Sequence, residues 1–169
     1  MDSQRPKTLK RVPYKWGGFD SPSVFVDRIK GGRLAGDVCT CRDPAHNDCI
    51  VDTAAGVDCS GFVSRAWGLA SKLGTTELGG ISTKVTGWQT DIGKVKAGDA
   101  LNKAGSHVRL VVDAISNPEI RIIVMESTTA RSCMQRDGTV GLCEGVCECV
   151  RKISEFSGYQ LLQFKGVKD

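Results

Sequence analysis

"GVDCSGFVSRAWGLA" (residues 56–70) sets a cysteine between an aspartate and a serine at what reads as the start of a helix. Phe62, Val63, Ala66, Trp67 and Ala70 fall on one helical stripe, which predicts an amphipathic helix running on from Cys59. Asp58 can cap that helix through its carboxylate. A cysteine at a helix start meets unpaired backbone N–H groups and the positive end of the helix dipole, which favour its anion. The same N–H groups can receive an oxyanion. Cys59 is therefore a candidate nucleophile.

The totals fit one domain. A chain of 169 residues, 40% hydrophobic and 25% charged, can bury a core without covalent help. A net charge of +4 is mild, and its basic residues are scattered rather than striped, which argues against a nucleic acid partner. No apolar run is long enough to span a bilayer. "MDSQRPKTLKRVPYKW" (1–16) lacks the apolar centre of a secretion signal. Eight cysteines nevertheless point to an oxidising compartment. The expectation is a secreted or periplasmic protein whose leader has been removed.

Along the chain, residues 1–13 read as a polar arm, "YKWGGFD" (14–20) as a turn, and 22–31 as a short helix. Residues 31–57 and 130–147 read as Gly- and Cys-rich excursions, and 74–98 as loop anchored by Trp88. Strands are predicted at 99–103, 107–115, 120–128, 149–153 and 159–165, with Asn117-Pro118 turning between two of them. One helix group followed by antiparallel strands predicts an α+β fold.

A thiol nucleophile needs a base, and the chain has two histidines. His46 lies in the first excursion. His107 opens an apolar strand, a rigid place for a base. A third polar group should orient the imidazole. "VMEST" (124–128) offers Glu126 first, then Ser127 or Thr128; Glu126 pointing into solvent, or pairing with Arg109 or Arg121, is the alternative.

"YKWGG", "DCSGFV", "KAGDAL" (96–101) and "SHVRLVV" (106–112) in this order resemble the NlpC/P60 family of cysteine peptidases. The resemblance spans residues 13–127 and implies a papain-like fold, with a nucleophile helix packed on an antiparallel sheet. It implies Cys59 as nucleophile, His107 as base and Glu126 as the third residue. It further implies substrate-binding roles for Tyr14, Trp16, Asp58, Ser60 and Ser106, with Tyr14 near the thiolate. No metal or other cofactor is called for. The implied activity is cleavage of an amide bond in peptidoglycan stem peptides, between D-γ-glutamyl and a diamino acid, by a monomer. Three departures stand out. Gly18 and Asp58 are 40 residues apart where about ten is common, Arg109 replaces a usual Gly, and the third residue is acidic rather than His, Asn or Gln.

Rival readings keep the scaffold or discard the chemistry. A CHAP-like N-acetylmuramoyl amidase, or a toxin-like deamidase or acyltransferase, would use the same triad. A non-catalytic, disulfide-stapled wall-binding module would bury or bridge Cys59. The other cysteines, Cys39, Cys41, Cys49, Cys133, Cys143, Cys147 and Cys149, are odd in number, so at most three bridges form among them. Cys39–Cys41 and Cys147–Cys149 are too close for easy bridges. Structural zinc, joined by His46, is the rival to disulfides.

Overall fold

A computed structural model describes residues 11–37, 50–116 and 118–166. Ser21 caps helix α1 (Pro22–Lys30), accepting from the Val24 N–H, and Pro22 sits where a missing N–H costs nothing. Strands β1 (Leu34–Ala35) and β2 (Ala54–Ala55) pair in parallel. Helix α2 (Cys59–Ala66) follows, capped by Asp58, whose carboxylate accepts from the Gly61 N–H at 2.7 Å. It is shorter than the apolar stripe through Ala70 predicts. Trp67 ends it, and Gly68 turns the chain in the left-handed region at φ 70°.

The main sheet has six strands in the order β3-β8-β4-β5-β6-β7, every neighbouring pair antiparallel. They are β3 (Ser82–Val85), β4 (Ala100–Lys103), β5 (His107–Ile115), β6 (Arg121–Met134), β7 (Val140–Lys152) and β8 (Gln160–Phe164). Two helices and this sheet make an α+β protein. Strand β3 lies inside the stretch expected to be loop, and Trp88, the expected anchor there, is buried.

The second excursion is corrected outright. Most of residues 130–147 belongs to strands β6 and β7, which form one long ribbon. The ribbon curls, pairing Met134 with Val150 as well as Val140, and Cys133–Cys149 joins its strands across the curl. Cys143–Cys147 forms a second disulfide within β7. Cys133–Cys149 thus staples two strands, Cys143–Cys147 closes within one, and none of these four cysteines is left to bind zinc. Cys39, Cys41, Cys49 and His46 lie outside the described residues. No described helix is long and apolar enough to cross a membrane.

Side chains alternate across the sheet, so neighbours separate into two cores. Ala100 and Leu162 join Val63, Trp67, Leu78 and Val108 in the core shared with α2. Leu101 and Leu161 join Trp88, Val111, Ile122, Val124 and Phe156 in the other. Trp67 fixes α2 to the sheet by stacking on Phe164 at 4.9 Å and donating Nε1–H to the Gly98 carbonyl at 2.8 Å.

Candidate active site

The turn at residues 17–18 and the start of α2 are built against each other. Asp58 accepts from the Gly17 N–H at 3.0 Å and from the Ser60 hydroxyl at 3.2 Å, and pairs with Lys72 at 2.6 Å. The Asp58 N–H donates to the Gly18 carbonyl at 3.3 Å. A Cβ on Gly61 would collide with that same carbonyl oxygen, and a Cβ on Gly18 would collide with the Gly56 carbonyl. Gly18 and Gly61 are thus demanded by close backbone approaches, whereas Gly17 serves its positive φ of 72°. Asp37 holds the intervening chain from both sides, accepting from the Trp16 N–H at 2.7 Å and the Val51 N–H at 3.1 Å.

Cys59, the one free cysteine among the described residues, lines a cavity of about 280 Å³. His107, Tyr14, Trp16 and Ser106 line it too, so five of the eight expected site residues meet there. Asp58 and Ser60 do not line it; both are buried and engaged with one another at the helix start. Glu126, the eighth, is completely buried behind His107.

The imidazole is fixed by that carboxylate, with His107 Nε2 lying 2.6 Å from Glu126 Oε2. An ionised carboxylate only accepts, so Nε2 carries the proton and Nδ1 is the acceptor nitrogen of the neutral ring. Glu126 is further clamped by two arginines. Arg109 Nε donates to Oε2 at 2.8 Å, and Arg151 donates to Oε1 from Nη2 at 2.6 Å and Nε at 3.2 Å. Burial is the largest single influence on Glu126 and pushes its acidity the wrong way. The hydrogen bond and charge of His107 together with Arg109 outweigh it, and the carboxyl stays well below the usual range. Arg121, the other anticipated partner, pairs instead with Glu119 at 3.3 Å. Ser127 donates its hydroxyl to the Val57 carbonyl at 2.7 Å, tying β6 to the residues just before Cys59.

The thiol departs from expectation. Burial, followed by the charge of Asp58, pushes Cys59 up from 9.0 to about 11. The backbone N–H groups of Val108 and Ser60 and the charge of Lys72 pull the other way but are outweighed. A helix start favours the anion, yet an eight-residue helix end does not offset the desolvation of the thiol. The resting group is a neutral thiol that must lose its proton during attack.

Residues missed by sequence reasoning are Arg131, Thr129 and Tyr159 in the cavity wall and Arg151 behind Glu126. Arg151 sits in "CVRKI", where alternation marks an inward position, but its partner becomes visible only once β7 is paired with β6. Among the described residues no group of three His, Cys, Asp or Glu side chains could hold a metal ion. No protein-family model matches the chain, and neither a curated protein nor a solved structure matches it.

Proposed function

We propose that the chain is a cysteine hydrolase of papain-like architecture, exported and acting on peptidoglycan stem peptides. The observation that carries this reading is a free thiol at a capped helix start sharing one cavity with an imidazole whose far nitrogen is held by a buried carboxylate. Two disulfides fit an oxidising compartment. The sequence resemblance supplies the bond class, the amide between D-γ-glutamyl and a diamino acid.

In the proposed reaction His107 Nδ1 takes the Cys59 proton as sulfur attacks the scissile carbonyl carbon. The carbonyl oxygen becomes an oxyanion, and the Cys59 backbone N–H, unbonded among the described residues, is available to receive it. His107 then gives its proton to the leaving amine as the C–N bond breaks. Water, deprotonated by the same nitrogen, hydrolyses the thioester and regenerates the thiol. Glu126 stabilises the imidazolium in both steps and fixes its tautomer.

The test is digestion of purified peptidoglycan by wild type and Cys59→Ala, with mass spectrometry of the released fragments. Expected are new diamino-acid N-termini with wild type and none with Cys59→Ala at unchanged thermal stability. Free N-termini on L-alanine would instead indicate a muramoyl amidase, for which an acidic third residue is at home. Undiminished release by Cys59→Ala overturns the assignment.

A further inference from the structure

The cavity wall holds more positive charge than Glu126 can balance. Arg109 spends Nε on Glu126 at 2.8 Å, and its Nη1 has no acceptor among the described residues. Nη1 is buried and unpartnered, on a residue only 8% exposed. Leaving a charged donor without an acceptor is costly, and Arg109 is also one of the residues that line the cavity. Arg131, which also lines the cavity, makes no ion pair among the described residues. Arg109, Arg131 and Tyr159 line the same cavity as Cys59. The Tyr159 hydroxyl also has no hydrogen bond among the described residues. Arg109 is held in place from the side, its guanidinium carbon lying 5.3 Å from the Phe156 ring centroid and 5.1 Å from that of Tyr159. Its fork is thus oriented before any ligand arrives.

From this we infer that Arg109 and Arg131, with the Tyr159 hydroxyl, form an oxyanion-binding subsite beside Cys59 that selects peptide substrates carrying a free carboxylate next to the cleaved amide. The planar fork of Arg109 suits a carboxylate, and Arg131 adds a second charge to the same cavity. The inference rests on the proposed hydrolase reading for its substrate but not for its binding chemistry. Arg109 occupies the position where the resembled family commonly has Gly, so the subsite belongs to this chain.

Two probes test it. Iodoacetate and iodoacetamide alkylate a thiol at the same carbon with the same leaving group and differ in their carboxylate. The ratio of their rates at Cys59, divided by the ratio for a small reference thiol at the same pH, should be at least tenfold in favour of iodoacetate. Arg131→Gln should lower that normalised ratio at least threefold. A normalised ratio near one, or one indifferent to Arg131→Gln, overturns the subsite. Separately, Cys59→Ala should show spectral shifts on titration with N-acetylglycine and none with N-acetylglycinamide; equal responses overturn it as well. If Cys59 reacts with neither reagent the hydrolase reading fails, and the titration still decides the subsite.

Discussion

Exchanging Glu126 for Gln keeps the side chain's shape and removes its charge. Glu126 is 0% exposed and is the acceptor for His107, Arg109 and Arg151. In the variant Arg109 faces a neutral amide as its only hydrogen-bond partner among the described residues. Arg151 keeps the Ser132 carbonyl at 3.0 Å and Glu155 at 3.4 Å, the latter with 41% of its side chain exposed. Two guanidinium groups, each on a side chain about 10% exposed, lose the one buried charge that balanced them. Removing one partner of a buried ion pair costs about 3–5 kcal/mol, against less than about 1 kcal/mol for a surface pair. Burial decides, so the larger figure applies. With a urea slope of about 2 kcal/mol/M the midpoint should fall by roughly 1.5–2.5 M. Equilibrium unfolding followed by tryptophan fluorescence reads it directly. Adding Arg109→Met to Glu126→Gln should recover part of the loss, because it removes a stranded charge. The pH dependence has a definite sign. The folded carboxyl titrates well below its ordinary 4.5, so below about that pH the unfolded chain takes up a proton that the folded one refuses. Wild-type stability therefore falls as acid is added, and the gap to Glu126→Gln narrows. A loss under 1 kcal/mol at neutral pH, with no recovery in the double variant, would refute the clamp.

Three further outcomes follow from the same geometry. Iodoacetamide alkylation of Cys59 should rise with pH through about 11 rather than through 9.0, and stability should decline between those values as the unfolded thiol ionises first; a rate profile centred near 9.0 would contradict the burial effect. Gly61→Ala gains about 1 kcal/mol in helix propensity, but its methyl meets the Gly18 carbonyl, and backbone collisions of this kind cost about 1–3 kcal/mol. The melting temperature should fall, and a rise would sink the close-approach account. Replacing Cys133 and Cys149 with Ala, a pair separated by 16 residues, should cost about 3 kcal/mol on loop-closure grounds, whereas the Cys143–Cys147 pair, separated by 4, should cost about 2 kcal/mol. Chemical denaturation of the two double variants checks the order.

What could be read from the sequence was local. Asp58 followed by an apolar stripe marked α2, and the apolar run in "HVRLVVDAI" marked β5 at its observed limits. The end of α2 was misjudged because apolar residues continue past Trp67 while the backbone at Gly68 turns away. The β6–β7 ribbon was hidden by composition. Its cysteines, glycines and arginines resemble a loop until cross-strand pairing buries them, when Cys133 and Cys149 prove fully enclosed. Strand β8, inserted between β3 and β4, is a consequence of long-range topology that no local pattern encodes. The site divides likewise. Cys59, His107 and Glu126 were nameable one by one, but the arginine clamp on Glu126 depends on three strands meeting.

The position of Asp37 has a wider meaning. Because it accepts from the backbone at Trp16 and again at Val51, it holds these two points of the chain together. Loop-closure entropy grows only slowly with length, so the number of residues between Asp37 and Val51 can change at little expense to the frame. Variation there is uncoupled from the Gly17–Asp58 contact that seats the sulfur. Lineages, or protein engineers, are free to change that length while the chemistry stays where it is.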